Sequence, residues 1–291
     1  MKGRGVRGLV ETCGGKVAGM GEILIGTSGY DYPEWKGGFY PEDLKRKDFL
    51  IFYATQFNAL ELNNTFYNMP TAERLMSFYE RSEGRLSFSV KANRLLTHEI
   101  GADWQSVAED FKAALEPLSG KGVLSAVLFQ LPESFHYTKD NRIYLAKLIS
   151  EFEGFPVMIE FRHKEWIRES VFDGLERRRA GIVFCDMPQL KNLPDGTVTG
   201  TPFIGDNAYI RLHGRNEGAW YAAGESLNGS ARYCYDYSEN ELSQFVPVIK
   251  QAKGEGKKVQ VYFDNHPNGS GAKNAVRMKE MTENTENTEN I

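Results

Sequence analysis

The chain has 291 residues, 41% of them hydrophobic, enough to bury the core of two average domains or of one large α/β barrel. Its formal net charge of −4 gives no overall basic field to recruit nucleic acid. No apolar run approaches the roughly 20 residues of a membrane span, and none follows the N-terminus in the manner of a signal peptide.

Residues 1–21, Gly-rich and basic, are expected to form a flexible leader. Eight short apolar or alternating segments then read as strands: 23–27, 59–63, 86–91, 124–130, 157–161, 181–185, 208–212 and 258–263. Amphipathic patterns between them predict helices over about 42–57, 71–82, 103–117, 139–152, 166–180, 239–253 and 272–281. Ser238 and Glu241 give the helix near 239 a capping-box start. Residues 187–206, rich in Pro, Gly and Thr, predict one irregular crossover. The Thr-Glu-Asn repeat over 282–291 has no apolar surface to bury and is expected to be a disordered polar tail. Strands alternating with helices imply a parallel sheet covered by helices, and eight units favour a single (β/α)8 TIM-type barrel domain over residues 22–281. Cys13, Cys185 and Cys234 are widely spaced and form no CxxC pair, which argues against a disulfide framework or thiolate zinc site and fits a cytoplasmic protein.

Alternation along the strands separates an apolar set from a polar one. With the apolar set facing the helices, the inward set comprises Glu61 and Asn63; Ser87, Ser89 and Lys91; Gln130; Glu160 and Arg162; Asp186; Tyr209, Arg211 and His213; and Gln260, Tyr262 and Asp264. Barrel interiors are normally filled by aliphatic residues, and ionisable groups at the C-terminal strand ends match the place where barrel enzymes keep their active sites. A structural ion-pair network is the alternative, but desolvating so many charges is a poor route to stability. All five histidines, His98, His136, His163, His213 and His266, follow strand ends, and only His213 also has inward parity. Aromatic residues after strands one, two and seven (Tyr30, Tyr32, Trp35, Phe39, Tyr40, Phe66, Tyr67, Trp220, Tyr221) are candidates for stacking on a ligand or for a local loop core. The glycines of 214–229 suit a lid, and the Gly26-Thr27-Ser28-Gly29 segment reads as a turn whose N–H groups could hold an anion.

Several stretches resemble a known family. They are Gly26-Thr27-Ser28-Gly29-Tyr30 through Trp35, Phe39-Tyr40-Pro41, Glu61-Leu62-Asn63 with Thr65-Phe66-Tyr67 and Pro70, and Lys91 with Arg94, Thr97 and His98. They continue with Gln130-Leu131-Pro132, Glu160-Phe161-Arg162-His163 with Trp166, and Arg211-Leu212-His213-Gly214. From about residue 22 to 279 the order resembles the YecE-like family, and the resemblance implies a single TIM-type barrel of undetermined activity. At the level of fold alone that family is similar to endonuclease IV and xylose isomerase, and fold does not fix function.

Three readings follow. The first is phosphoester hydrolysis of nucleic acid or a sugar phosphate, with Glu61, Glu160, Asp186, His213 and Asp264 as acid, base or ligands of one Mg²⁺ or Mn²⁺. Tyr30, Asn63, Lys91, Arg94, Arg162, Arg211 and Asn265 would bind the anion. The second is metal-free isomerase or aldolase chemistry on a sugar phosphate through a Lys91 Schiff base. The third is a non-catalytic barrel binding nucleic acid or a phosphorylated metabolite. The partner expected is thus an anionic small molecule or nucleic acid, not a membrane.

Overall fold

The structure, a computed structural model, describes residues 21–195, 203–221 and 231–288. Eight strands pair in sequence order, every pair parallel, and β1 closes on β8. They are β1 Ile23–Ser28, β2 Ala59–Leu62, β3 Ser87–Lys91, β4 Leu124–Gln130, β5 Val157–Glu160, β6 Gly181–Asp186, β7 Asn207–Leu212 and β8 Lys258–Phe263. The (β/α)8 barrel expected from the alternation is therefore the fold. Closure removes every sheet edge.

The outer layer comprises α1 Phe49–Gln56, α2 Ala72–Arg81, α3 Trp104–Gly120, α4 Lys139–Glu151, α5 Glu169–Glu176, α6 Glu239–Ser243, α7 Val246–Gly254 and α8 Ser270–Thr288. Four helices differ from their predicted spans. α1 starts late because residues 42–48 are charged apart from Leu44 and mostly exposed, whereas Phe49, Leu50, Tyr53 and Ala54 are buried. α5 is shorter because Trp166 ends a separate 3₁₀ turn, Lys164–Trp166, capped by His163. The helix expected over 239–253 is two: Pro247 lacks the N–H that a continuous helix would use, so α7 starts beside it. The capping box at Ser238 and Glu241 is present. α8 continues past its predicted end to Thr288, with Thr282 buried and its hydroxyl donating to Met278 O at 3.0 Å.

Among the described residues no α-helix joins β6 to β7, as the composition of 187–206 implies. The leader up to residue 20, residues 222–229 of the expected lid, and residues 289–291 of the tail lie outside the described residues. No helix among the described residues is long and apolar enough to cross a membrane.

The barrel interior is divided along its axis. Leu24, Ala59, Ala126, Leu128, Met158 and Val183 form an apolar plug that also holds Gln260, at the level of Leu24, and the ionisable inward residues lie beyond it towards the C-terminal strand ends. Gly26 lets β1 come close to β2: a Cβ there would lie 2.0 Å from Ala59 O. The Gly26–Ser28 segment is strand and not a turn, and its N–H groups are used. Thr27 donates to Tyr53 Oη and Gly29 to Glu61 O, so the expected anion nest is absent.

Candidate active site at the barrel mouth

Arg211 is the centre of the mouth. It is fully buried, and its two terminal nitrogens reach carboxylates from three other strands or strand ends. Nη1 donates to Glu160 Oε2 at 2.5 Å, and Nη2 donates to Glu61 Oε1 at 2.6 Å and, more weakly, to Asp264 Oδ2 at 3.4 Å. Each carboxylate has a further donor. Glu61 accepts from Ser28 Oγ and from Tyr209 Oη at 2.6 Å. Glu160 accepts from Arg162 Nε, and Asp264 from His213 Nδ1 at 2.9 Å. Asn63 Nδ2 joins through Ser28 Oγ at 2.5 Å, and Tyr209 Oη also meets Ser89 Oγ at 2.6 Å.

The tautomer of His213 follows from its neighbours. Arg162 Nη2 lies 3.1 Å from His213 Nε2, and a guanidinium can only donate, so Nε2 accepts. The ring proton is then on Nδ1 and goes to Asp264. Burial alone would raise the Glu160 carboxyl, but the Arg162 and Arg211 guanidiniums overcome it and hold the group well below the usual carboxylate range. Asp264 is likewise lowered against burial, by Arg211 and His213. Neither is a proton donor near neutral pH. Burial pushes the inward Cys185 thiol up, so it is no nucleophile.

Glu160, Cys185 and His213 could approach a common cation, yet the donor set does not fit one. Both oxygens of Glu160 face guanidinium nitrogens, the His213 Nε2 lone pair is engaged, and the thiol is held protonated. A carboxylate-bound Mg²⁺ or Mn²⁺ at this position would have to displace two arginines.

Lys91 differs from the other cations. Its Nζ lies 4.7 Å above the Phe66 ring, and among the described residues it has no hydrogen bond or ion pair. Its carbonyl is held by Thr65 Oγ1 at 2.6 Å. Desolvation first, then Arg211, pushes the amine down to about 8, against the pull of Glu160, Asp264 and Glu61. His98, an exposed residue, stands edge-on to the same Phe66 ring at 4.8 Å. Trp220, Tyr233, Tyr32 and His266 complete a mostly aromatic rim.

The structure thus brings together Glu61, Asn63, Lys91, Glu160, Arg162, Arg211, His213 and Asp264. Four expected members lie elsewhere. Asp186 has outward parity, since Val183 and Cys185 face the interior; its carboxylate accepts from Arg215 Nη2 at 2.6 Å and Tyr237 Oη at 2.7 Å. Asn265 lies on the same outer side, donating to Tyr235 O and Asn274 Oδ1, both at 2.8 Å. Tyr30 packs between Tyr53 and Phe78, facing a cavity of about 450 Å³ beside Arg74 and Arg81. Arg94 pairs with Glu99 at 3.3 Å near the surface. Arg211, expected to bind the anion, has both terminal nitrogens on carboxylates of the chain itself, while its Nε is buried without a partner. Sequence reasoning missed Ser28 and Cys185 as members, and it named His98 and Phe66 only as a loop histidine and a candidate stacking ring. Ser28 was accessible to the parity rule, being in step with Leu24.

Asp186 thus ties β6 to Arg215 and Tyr237. Asp186→Asn should lower the unfolding free energy by about 2 kcal/mol in urea titrations, because Arg215 and Tyr237 lose an ionised acceptor. It should leave Lys91 reactivity unchanged; lost reactivity at unchanged stability would put Asp186 back in the site.

A family model described as a protein of unknown function, DUF72, matches residues 24–290. The UPF0759 protein YunF of Bacillus subtilis is 27% identical over 270 residues, 89% of this chain and 94% of that one. A DUF72 family crystal structure from Thermotoga maritima is 32% identical, with a TM-score of 0.79 over 90% of this chain and 99% of that one. A DUF72 family protein of Enterococcus faecalis, 23% identical, has the same fold with a TM-score of 0.77, covering 90% of this chain and 95% of that one. The resemblance read from the Glu61, Glu160 and Arg211 motifs and the match across nearly the whole barrel agree: this chain belongs to the DUF72 family.

Proposed function

We propose that the chain is an enzyme whose working group is Lys91, acting through an amine–carbonyl adduct on a small anionic carbonyl compound such as a sugar phosphate. The observation that carries this reading is the partly buried Nζ at the C-terminal end of β3, which lies over Phe66 with no hydrogen bond or ion pair among the described residues. An amine pushed down to about 8 is neutral in about a tenth of molecules at pH 7, far more than an ordinary lysine. The neutral amine attacks the carbonyl carbon and the π pair moves to oxygen. Loss of that oxygen as water, with two protons, leaves the carbon–nitrogen double bond. Arg162, whose Nη1 has no partner among the described residues, supports recognition of the anionic group. The Oδ1 of Asn63, buried and without a partner, offers an acceptor for a substrate hydroxyl.

A second reading, phosphoester hydrolysis, is favoured by the 2.9 Å His213–Asp264 bond, a general-base pair in outline. It requires Arg162 to leave His213 Nε2, as it would on swinging to a phosphate.

One experiment separates the two. Borohydride is added to the protein with a panel of sugar phosphates, and the chain is mapped by mass spectrometry while phosphate release is followed. The Lys91 reading predicts a reduced adduct on Lys91 that is absent in Lys91→Met. No adduct on Lys91 with any compound contradicts it, and phosphate release lost in His213→Asn would favour hydrolysis.

A further inference from the structure

The loop after β4 and the turn after β5 bring together His136, His163 and Glu165, outside the cluster around Arg211. His163 follows Arg162 in the chain, but its ring packs against that of His136, with centroids 4.6 Å apart. Glu165 Oε2 lies 3.4 Å from His136 Nδ1 and 3.5 Å from His163 Nδ1. A potential ligand atom from each of the three residues lies within 4.8 Å of the other two. Zn²⁺ binds imidazole nitrogen and carboxylate oxygen at about 2.0–2.2 Å, which places neighbouring ligand atoms of a tetrahedral site about 3.3–3.5 Å apart. The two nitrogen–oxygen separations match that spacing.

The surroundings suit such an ion. Glu165 Oε2 also accepts from the Tyr137 N–H at 3.2 Å, which holds the carboxylate towards the loop carrying His136. His163 is buried and fixed in place, whereas His136 and Glu165 are about half exposed, so the site has a rigid wall and an open side. His163 Nδ1 accepts a long 3.3 Å bond from the Glu165 N–H, so that nitrogen carries no proton; a bound ion would replace this contact. All three residue types are ordinary ligands of first-row divalent cations at neutral pH.

We propose that His136, His163 and Glu165 bind one divalent cation of the zinc class, with the remaining position left to water. The ion joins the loop after β4 to the loop after β5 at the rim of the barrel. It is independent of the Lys91 chemistry.

The test uses the full, untagged chain stripped with chelator, titrated with Zn²⁺ against a chromophoric competitor, and with Co²⁺ for its visible spectrum. The expected result is a single Zn²⁺ per chain with a Kd of about 10 µM or tighter and Co²⁺ bands of tetrahedral intensity. His136→Ala and Glu165→Gln, both at exposed positions, should each weaken binding at least about tenfold, while Cys185→Ser leaves it unchanged. Absence of saturable binding, binding indifferent to His136→Ala and Glu165→Gln, or binding lost in Cys185→Ser would each overturn the proposal.

Discussion

Arg211→Met will lower the unfolding free energy by about 4 kcal/mol at pH 7, among the largest losses any single substitution in this chain can cause. The arginine is the shared partner of Glu61, Glu160 and Asp264, all buried. Removing it leaves three carboxylates with only Ser28, Tyr209, Arg162 and His213 between them. The pH dependence has a definite sign. Glu160 and Asp264 have folded-state pKa values below their ordinary 4.5 and 3.8, so their contribution is complete above those values and is lost as pH falls below them. In the variant the crowded carboxylates accept protons more readily, so the deficit shrinks on acidification. Urea titrations from pH 7 down to 4 would show this. A loss under about 1 kcal/mol at pH 7 would mean that the network does not hold the barrel mouth together. Should Arg211→Met not fold, Glu160→Gln, which keeps the size of the side chain, gives a milder test of the same contact.

Lys91→Met is expected to act in the opposite direction, raising stability by about 1–3 kcal/mol at pH 7 while abolishing reactivity. The lysine is charged at that pH in both the folded and the unfolded chain, and the fold penalises the charge: its amine titrates near 8 rather than 10.5. The cost is present in full below about 8 and disappears as pH rises towards 10.5, where both states are neutral. The variant's advantage in thermal melts should therefore shrink over that interval. Methionine keeps an unbranched chain of similar reach while removing the ammonium that lies over Phe66. A Lys91→Met protein less stable than its parent at pH 7 would mean that the ammonium is well paired, which is incompatible with a poised amine.

The barrel and most of its polar mouth were legible because parallel strands alternate faithfully: Glu61, Glu160, Arg211, His213 and Asp264 each lie in step with inward neighbours. Asp186 was not legible. Strand β6 is apolar on both faces, as buried parallel strands are, so polarity alone could not fix its parity. Its outward charge is answered by Arg215, from beyond another strand. Asn265 directly follows Asp264, and alternation itself argues against both facing the barrel. Tyr30 stands on a loop and Arg94 in a single 3₁₀ turn, where no strand alternation governs direction. The balance between a site and an ion-pair network was also hidden. Only the structure shows that both terminal nitrogens of Arg211 face the chain's own carboxylates, and that Lys91, two residues beyond Ser89 on β3, has no ion pair among the described residues.

The state of the Lys91 amine is the point on which the functional reading turns. Titration of the lysine ε-carbon by ¹³C NMR, with Lys91 assigned by its loss in Lys91→Met, measures it directly. A midpoint near 8 is the predicted result. A midpoint near the ordinary 10.5 would contradict the reading and return the mouth of the barrel to the status of a structural charge network.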